Sequence, residues 1–411
     1  MTCTGIAPDE IVKPFPLFVV ILSGQFGAHP GKSIPVGGPS VVSYHRRSQL
    51  SIWPGMMDPL SPRRGFEPKV MRLTSEVKSP ASSCTLLAMN KLPQMGVERE
   101  NLIGKTILVT GAAGFIGGAL CRRLVQDGCL LTGVDNLRSG DWTRVPATVR
   151  LVERDISDID VEEWVTMLED VDTVFHLAAE KYNSSKSTPS RLIAANVTAT
   201  ERLFRACAMV GVRRTVFTSS LYAYGSLGPD VMSETDRAEP ITLYGASKLM
   251  GEGILRSIDR EIGLSWNVAR LFFIYGPRQF ADGGYKSVIL VNFERLLRGE
   301  APVVNGSGDQ TLDYVYVEDC VDALVSLATS SVDRQIVNVS SGHGVSVREL
   351  TAQMCSLHGF NSSPDHAQAD WTEGTTRVGD PAAIAQKFDW MSKTSIEGGL
   401  HQVYEWMQSP L

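Results

Sequence analysis

The chain has 411 residues, a length that predicts two domains of ordinary size together with additional segments. Hydrophobic residues make up 43% and charged residues 20%, so most of the chain can bury a core. The formal net charge of −6 argues against a general nucleic-acid-binding protein. No apolar run approaches the roughly 18 residues of a membrane helix, and the seven cysteines form no Cys-x-x-Cys pair. We therefore expect no membrane span, disulfide framework or metal site, but a cytoplasmic protein with reduced thiols.

The first 100 residues differ in composition from the rest. They contain 12 of the 21 prolines and carry 11 basic against 7 acidic residues. Because the prolines repeatedly interrupt any helical or strand period, we predict that residues 1–100 form a largely disordered extension. A secretory signal is disfavoured by Asp9 and Glu10, and a transit peptide by the lack of early arginines. We favour natural translation from Met95 over a functional extension.

From Lys105 onward, strand and helix patterns alternate regularly. The predicted strands are the apolar runs at residues 106–110, 130–135, 149–154, 173–177, 214–219 and 265–271. Helical patterns cover residues 116–126, 190–209 and 248–262. Strands that are apolar on both faces and alternate with helices predict an α/β protein with a Rossmann-like, doubly wound parallel sheet. The alternation weakens after Leu271, which predicts a larger domain at residues 101–271 and a smaller α/β part at residues 272–411.

The first predicted strand leads into a glycine-rich turn, Gly111-Ala112-Ala113-Gly114-Phe115-Ile116-Gly117. Glycines allow a tight turn and let the backbone approach a pyrophosphate at the N-terminus of the following helix. An ordinary strand-to-helix turn is the alternative interpretation. Asp135 ends the second strand, where a carboxylate can bind the adenosine ribose and repel a 2′-phosphate. The two features together predict a dinucleotide site that prefers NAD to NADP.

A tyrosine and a lysine lie four residues apart in Tyr244-Gly245-Ala246-Ser247-Lys248, on one face of a predicted helix. Such a lysine can lower the pKa of the tyrosine from its usual value of about 10, as can a nicotinamide cation, and so provide a base. Tyr-x-x-x-Lys pairs are also common on helix surfaces. Ser220 follows the fifth strand, at the sheet edge where ligands bind, and can hydrogen-bond the oxygen that Tyr244 deprotonates. We therefore predict Ser220, Tyr244 and Lys248 as catalytic residues.

These features, with the segments ILVTGAAGFIGGAL, VDNL, Asp155-Ile156 and His176-Leu177-Ala178-Ala179, resemble the extended short-chain dehydrogenase/reductase family. The similarity is greatest to nucleotide-sugar epimerases and dehydratases of the UDP-glucose 4-epimerase type, and it covers residues 104–408. It implies an NAD-binding domain at residues 101–271, a substrate-binding part at 272–411 that can interleave with it, and a homodimer. The residues that it assigns to NAD are Gly111, Gly114, Phe115, Ile116, Gly117, Asp135, Asn136, Asp155, Ile156, Ala178, Ala179, Lys181, Asn196, Tyr244 and Lys248. His176 ends a buried strand, so we interpret it as a packed structural histidine.

Three later segments resemble the substrate-binding motifs of this family. They are the runs at residues 270–278 and 306–317 and the tetrapeptide Arg377-Val378-Gly379-Asp380. The residues that the resemblance assigns to a nucleotide-sugar substrate are Lys181, Ser220, Arg278 and Arg377. Two positions depart from the motifs, because Phe273 replaces an asparagine that contacts substrate and Leu312 replaces an arginine that binds the diphosphate. The substrate can therefore differ from a standard UDP-hexose.

The residues after Ser220 distinguish between reactions of the family. Related dehydratases carry Asp-Glu directly after the catalytic hydroxyl residue, and decarboxylases carry a glutamate two residues after it, whereas this chain has Leu221 and Tyr222. The resemblance then implies C4 epimerisation through a transient 4-keto sugar, with Tyr244 as acid and base. An NAD(P)-dependent reductase or dehydrogenase of a keto-sugar or non-nucleotide compound is the second interpretation. A non-catalytic cofactor-binding protein is the third.

Overall fold

The computed structural model describes residues 100–225, 231–279, 287–369 and 372–409. The disorder predicted for residues 1–100 therefore concerns a segment that, apart from Glu100, lies outside the described residues. The strands are β1 (Thr106–Thr110), β2 (Leu130–Asp135), β3 (Arg150–Glu153), β4 (Thr173–His176), β5 (Arg214–Ser220), β6 (Trp266–Leu271), β7 (Phe273–Tyr275), β8 (Val303–Asn305), β9 (Thr311–Tyr316), β10 (Gln335–Val339), β11 (Gly344–Ser346), β12 (Asp365–Ala367) and β13 (Thr376–Arg377). The helices are α1 (Phe115–Gln126), α2 (Val161–Met167), α3 (Ser184–Ser187), α4 (Pro189–Ile193), α5 (Thr200–Val210), α6 (Leu243–Glu261), α7 (Val288–Leu297), α8 (Val317–Thr329), α9 (Val347–His358), α10 (Ala382–Phe388) and α11 (Ile396–Gln408).

A seven-stranded parallel sheet with the order β10-β6-β5-β4-β1-β2-β3 forms the centre of the described fold. Successive side chains of a strand point to opposite faces. In β1, Ile107 and Val109 pack in one apolar cluster with residues of α1 and α8, whereas Leu108 packs in another with residues of α2, α5 and α6. Helices thus cover both faces of the sheet. The predicted Rossmann-like, doubly wound α/β fold is confirmed.

Two predicted helices have different boundaries in the structure. The helix expected over residues 190–209 is divided, because a π-helical stretch at Ala194–Ala199 separates α4 from α5. The helix expected from Lys248 begins earlier, at Leu243, because the Thr242 side chain caps it by accepting a hydrogen bond from Gly245 N at 3.0 Å. Tyr244 therefore lies in the first turn of α6.

The chain after β6 builds a third apolar cluster and also adds one strand to the large sheet. Strand β9 pairs with β7, β11 and β13, and helices α7, α9 and α11 pack together through Phe293, Leu350 and Leu400. Strand β10 instead pairs with β6 as the outermost strand of the large sheet. The domain boundary at residue 271 stays a prediction. In the described parts of the chain, no helix is long and apolar enough to cross a membrane.

Candidate active site

The carboxyl ends of four neighbouring strands place the predicted site residues at one edge of the large sheet. Strand β1 runs into the glycine turn, β2 ends at Asp135, β4 ends at His176 and β5 ends at Ser220. Because all of these strands are parallel, their carboxyl ends lie on the same side. Ligands of open α/β sheets bind at this edge.

The glycine turn after β1 has a backbone geometry and a close packing that favour glycine. Gly111 has a φ of +72°, and its N–H donates to Val134 O at 2.8 Å. A Cβ at Gly111 would lie 2.8 Å from Ala178 N, and a Cβ at Gly117 would collide with the carbonyl oxygen of Gly111. The N-cap residue Gly114 has no side chain for the amides at the start of α1, and the first turn carries no acidic residue. These amides therefore suit an anionic group such as a pyrophosphate.

Asp135 is held with its carboxylate next to this turn. It is 8% exposed, and its two oxygens accept hydrogen bonds from Ala113 N at 3.0 Å and Leu137 N at 2.8 Å. Burial raises the pKa of Asp135, and these two backbone bonds oppose the rise. Each carboxylate oxygen can accept a further hydrogen bond. The predicted binding of the ribose hydroxyls by Asp135 stays a prediction.

Ion pairs connect the ends of β2, β3 and β4 beside Asp135. Asn136 donates to the carboxylate of Asp155 at 2.9 Å. Arg138 lies 3.0 Å from Asp155 and 3.2 Å from Glu180, and is itself about half exposed. Ile156 is buried directly after Asp155. The residues assigned to the adenine end of NAD are therefore neighbours in the fold, joined by an arginine that the sequence analysis missed.

Asn196 connects the loop after β4 to the helix that carries Tyr244. It lies in the π-helical stretch, accepts from Glu180 N at 2.8 Å, and donates to Glu180 O and to Ser247 Oγ, each at 3.0 Å. The next residue in the loop is Lys181, whose pKa is lowered by partial desolvation and by the Arg144 charge. In the same loop, Ala178 N donates to Thr110 Oγ1 at 3.2 Å. Ala178, Ala179 and Lys181, which the resemblance assigns to the nicotinamide half of NAD, thus lie in one loop that Asn196 ties to α6.

The three predicted catalytic residues meet at the start of α6. Ser220 is 7% exposed and is hydrogen-bonded to the phenol of Tyr244. Its Oγ also accepts from Tyr222 N at 3.3 Å. Lys248 is 4% exposed, and its Nζ donates to Thr218 O at 2.8 Å. The structure therefore brings the serine, the tyrosine and the lysine together.

The acid–base properties of this group differ from the sequence expectation. We expected Lys248 to lower the pKa of Tyr244, but burial raises that pKa to about 12, opposed only in part by the hydrogen bond to Ser220. Burial also lowers the pKa of Lys248 to about 7, against the opposing charge of Glu252. The physical reason is desolvation, which penalises the phenolate and the ammonium alike. The protein's own groups therefore leave Tyr244 protonated at neutral pH.

His176 is a packed residue, as predicted. Its ring is fully buried between Phe204 and Phe217, and its two nitrogens lie 2.7 Å from Thr110 Oγ1 and 3.0 Å from Thr200 Oγ1. Burial lowers the pKa of His176 to about 3, so the ring is neutral at physiological pH. Both nitrogens are occupied, and a structural role for this histidine is confirmed.

Arg377 and two further tyrosines lie next to Tyr244. The Tyr222 ring packs edge-to-face on Tyr244, with ring centroids 5.5 Å apart, and lies 5.3 Å from the Tyr182 ring. The Arg377 guanidinium lies 5.9 Å from the Tyr222 ring centroid and is 5% exposed. Burial lowers the pKa of Arg377, and the two tyrosines oppose the fall. The arginine predicted to bind substrate is thus close to the predicted base.

The two departures from the family motifs are packed into the protein. Leu312 is 5% exposed and lies opposite Arg377 in the pairing of β9 with β13. Phe273 is half-buried, with its ring centroid 5.9 Å from that of Tyr314. Arg278 is exposed, and its positive charge helps to lower the pKa of Arg122 in α1. A substrate-binding role for Arg278 stays a prediction.

Comparison with known proteins identifies the family. The sequence profile of the NAD dependent epimerase/dehydratase family matches residues 107–340, more than half of the chain. The chain belongs to this family. A UDP-glucose 4-epimerase of Mycolicibacterium smegmatis is 30% identical over 309 residues, which cover 74% of this chain and 98% of that protein.

Two solved structures of epimerases resemble the described fold. UDP-glucose 4-epimerase of Thermotoga maritima with UDP-glucose has a TM-score of 0.70 and 31% identity, over 74% of this chain and 98% of that one. UDP-glucose 4-epimerase of Thermus thermophilus with NAD has a TM-score of 0.67 and 28% identity, over 74% and 100%. As a member of the NAD dependent epimerase/dehydratase family, the protein is an enzyme that uses NAD. The predicted family and cofactor are confirmed.

Several residues around the site of this epimerase/dehydratase were not predicted from the sequence. Glu252 lies one helical turn after Lys248 and is 1% exposed. Asp313 accepts hydrogen bonds from Ser341 and from the backbone of Gly379, two residues after Arg377. The spacing of Glu252 could have indicated the first, because i and i+4 residues of a helix share a face. Among the described residues, no cluster of three or more His, Cys, Asp or Glu side chains is arranged to hold a metal ion.

Proposed function

We propose that this enzyme is a nucleotide-sugar epimerase that inverts C4 of the sugar through a transient 4-keto sugar, with Tyr244 as acid and base. The observation that carries the proposal is the group of Ser220, Tyr244 and Lys248 at the same sheet edge as the glycine turn, with no carboxylate at the two positions after Ser220. The relatives named UDP-glucose 4-epimerase support the same reaction.

The glycine turn and Asp135 hold the cofactor in this proposal. NAD, when bound, accepts and returns the C4 hydride, and its nicotinamide cation adds a positive charge that favours the phenolate. Tyr244 then takes the proton of the C4 hydroxyl, while the Ser220 hydroxyl holds the same oxygen. Lys248, on the same face of α6 as Tyr244, supplies a second positive charge to the site. These residues supply the proton transfer that must accompany removal of the hydride.

Inversion requires that the keto-sugar turn within the pocket before it is reduced again. Tyr244 returns its proton to the C4 oxygen, and the hydride returns to the opposite face of the carbon. No net oxidation occurs, so Ser220, Tyr244 and Lys248 end each cycle in their starting protonation states. A single tyrosine can serve both steps, because it is the base in the first and the acid in the second.

Elimination and decarboxylation lack the side chains that those reactions use in related enzymes. Leu221 is 2% exposed and belongs to an apolar cluster with Tyr224, Met232 and Phe272. Tyr222 packs on Tyr244 at the second position. With no acid or base beside Ser220, reversible hydride transfer is the chemistry that the site favours.

Arg377 is the residue that we propose for the diphosphate of the substrate, because a guanidinium forms paired hydrogen bonds with phosphate oxygens. Leu312 occupies the position of the second arginine in the family motif, and Phe273 that of a polar contact. Loss of one hydrogen bond to a charged group costs about 1.5–3 kcal/mol. These two residues favour a second candidate function, an NAD(P)-dependent reductase or dehydrogenase of a keto-sugar or of a compound without a nucleotide.

The deciding experiment is incubation of the purified protein with a panel of UDP-, dTDP-, GDP- and CDP-sugars. An epimerase interconverts a pair of C4 epimers, retains its NAD on purification and accumulates no NADH. A reductase consumes one NADH per keto compound reduced. If no C4 epimer forms with any sugar and NADH is consumed, the epimerase proposal is wrong and the second candidate stands.

We further propose that the enzyme is a cytoplasmic homodimer. The cysteines at residues 121, 129, 207, 320 and 355 are buried free thiols, which supports a reducing compartment. The dimer rests on the resemblance to the family. Light scattering on the full chain would give twice the monomer mass of 44.8 kDa, and a monomer would contradict this part of the proposal.

A further inference from the structure

The end of β5 and one face of α6 are joined by three successive contacts. Along α6, Tyr244, Lys248 and Glu252 recur every four residues and so share one face. Tyr244 bonds to Ser220, Lys248 Nζ donates to Thr218 O at 2.8 Å, and Glu252 Oε1 accepts from Ser219 Oγ at 2.6 Å. Three consecutive residues of the strand are thus bound by three helix positions, of which Glu252 has no assigned role.

Glu252 carries a buried carboxylate that is held by an arginine of the neighbouring strand β6. Its carboxylate is paired with Arg270 of β6 by two hydrogen bonds, from Nε at 2.9 Å and from Nη2 at 2.7 Å. The side chains of Glu252 and Arg270 are 1% and 5% exposed. The Arg270 guanidinium also lies 4.5 Å from the centroid of the Tyr224 ring, whose hydroxyl donates to Asn338 at 2.7 Å. The carboxylate is therefore fixed in place, one helical turn from Lys248.

We propose that Glu252 is a positioning residue for the catalytic group: through Ser219 and Arg270 it holds the end of β5 against α6, and its negative charge keeps the buried Lys248 ammonium charged. The inference rests on the proposed function only in that Lys248 is taken to act as a cation. Burial lowers the pKa of Lys248 to about 7, and Glu252 is the group that opposes this fall. Without the carboxylate, Lys248 would lose its proton at a lower pH.

The other titratable groups around Lys248 do not replace this charge. His176 of β4 and Lys248 both pack on the Phe217 ring, and burial lowers the His176 pKa to about 3, so the imidazole is neutral. Arg270 of β6 adds positive charge. Tyr244 of α6 and Tyr224 after β5 are neutral phenols, because burial raises each pKa to about 12. Among these neighbours, Glu252 alone supplies a negative charge.

The primary test measures the titration of Lys248 without any substrate. In full-length protein with lysine-selective ¹³C labelling, the Lys248 signal is assigned by its loss in Lys248→Met and followed against pH. We expect Glu252→Gln to move the midpoint at least one pH unit below that of the wild type. Glu261→Gln changes an exposed glutamate of the same helix and should leave the midpoint unchanged. An unchanged midpoint in folded Glu252→Gln overturns the inference.

Two further measurements keep the test independent of folding and of the proposed reaction. Glu252→Gln leaves Arg270 buried beside a neutral partner and can unfold the protein, so Glu252→Gln/Arg270→Met removes both charges while the introduced glutamine can still bond Ser219. The midpoint of this folded double variant is compared with that of Arg270→Met, so that both proteins lack the arginine charge. We expect the lower Lys248 midpoint in the double variant, and equal midpoints overturn the inference. Where epimerase activity is established, the alkaline limb of the pH profile of kcat should move together with the Lys248 midpoint. Glu252→Asp, which keeps the carboxylate, should restore the wild-type pH profile. If the Lys248 midpoint shifts but the protein shows no epimerase activity, the proposed function is contradicted and the role of Glu252 is not.

Discussion

The side-chain amide of Asn196 donates to the hydroxyl of Ser247 at 3.0 Å, and so links the loop after β4 to the catalytic helix. The same side chain bonds both the N–H and the carbonyl of Glu180, the residue before Lys181. Ser247 directly precedes Lys248, and its own hydroxyl donates to Tyr244 O at 2.8 Å. The buried Asn196 amide therefore fixes the loop that carries Lys181 relative to the helix that carries Tyr244 and Lys248.

Replacement of Asn196 by Ala should weaken both structure and cofactor binding. Three hydrogen bonds are lost, and the backbone groups of Glu180 and the buried hydroxyl of Ser247 lose a partner, at a cost of about 1–3 kcal/mol for a buried group left unsatisfied. We expect a lower free energy of unfolding in urea and a NAD dissociation constant that rises about tenfold. Asn183→Ala, at an exposed position of the same region, is the matched control. Equal NAD affinity in both variants would contradict this role of Asn196.

The sequence predicted the sheet better than it predicted the helices. The inner strands of the large sheet are buried on both faces, and such strands appear in a sequence as continuous apolar runs. The π-helical stretch around Asn196 could not be predicted, because apolar spacing over a few residues does not separate a period of 3.6 from a wider turn. The early start of α6 depends on the Thr242 cap, which lies before the first clear helical period.

The predicted catalytic residues could be found from the sequence, whereas the pairing of the residues that support them could not. Tyr244 and Lys248 are close in sequence and share a helix face, so their spacing alone brings them together. Glu252 and Arg270 are 18 residues apart on different elements, and their pairing depends on how α6 packs on the sheet. The pKa values were not predictable either, because desolvation depends on burial in the folded state.

Removal of the Tyr244 hydroxyl should abolish most of the activity. Tyr244→Phe keeps the ring and its contact with Tyr222 but removes the group that exchanges the proton. We expect kcat to fall by a factor of about 10²–10⁴, the usual contribution of acid–base catalysis, with little change in the melting temperature. Tyr404→Phe, a substitution in the remote helix α11, controls for loss of a tyrosine hydroxyl. Near-normal turnover in Tyr244→Phe would place the chemistry elsewhere.

Asp135 should determine the preference for NAD over NADP. A 2′-phosphate would meet a carboxylate already held by Ala113 N and Leu137 N, and the repulsion should raise the NADP dissociation constant at least tenfold above that of NAD. Asp135→Ala should narrow this gap, whereas Asp158→Ala, at an exposed position after β3, should not. Both constants are measured by titration at one ionic strength. Equal affinities in the wild type would refute the assignment.

His176 should make the stability of the enzyme depend on pH. Its pKa is about 3 in the folded protein against an ordinary value of 6.5, so the unfolded chain binds a proton below pH 6.5 that the folded chain does not. Stability is therefore retained above pH 6.5 and lost as the pH falls from 6.5 toward 3, by up to about 1.4 kcal/mol per pH unit. Urea unfolding at pH 7.5 and 5.5 should show a smaller loss in His176→Gln than in the wild type. His401→Gln, at an exposed histidine, should keep the wild-type loss.

Asp313 should act on the affinity for substrate through Arg377. Its buried carboxylate accepts from Ser341 N at 2.8 Å, Ser341 Oγ at 2.6 Å, Gly342 N at 3.0 Å and Gly379 N at 3.2 Å. These bonds connect β9 to the segment that carries Arg377. All four partners of the Asp313 carboxylate are hydrogen-bond donors, whereas the side-chain amide of an asparagine has an NH₂ group that cannot accept. Asp313→Asn should therefore break at least one of these bonds and shift the segment that carries Arg377.

The expected result is a split between KM and kcat. If Arg377 binds a diphosphate, its displacement should reduce the binding free energy of the substrate by about 1.5–3 kcal/mol, which raises KM roughly tenfold to a hundredfold. The kcat should change little, because Ser220, Tyr244 and Lys248 lie on other elements. Asp309→Asn changes an exposed aspartate two residues before β9 and should leave KM unchanged. In an Arg377→Met background, Asp313→Asn should add little further loss, since both substitutions remove the same contact. Additive losses would show that Asp313 acts on the substrate by a route other than Arg377.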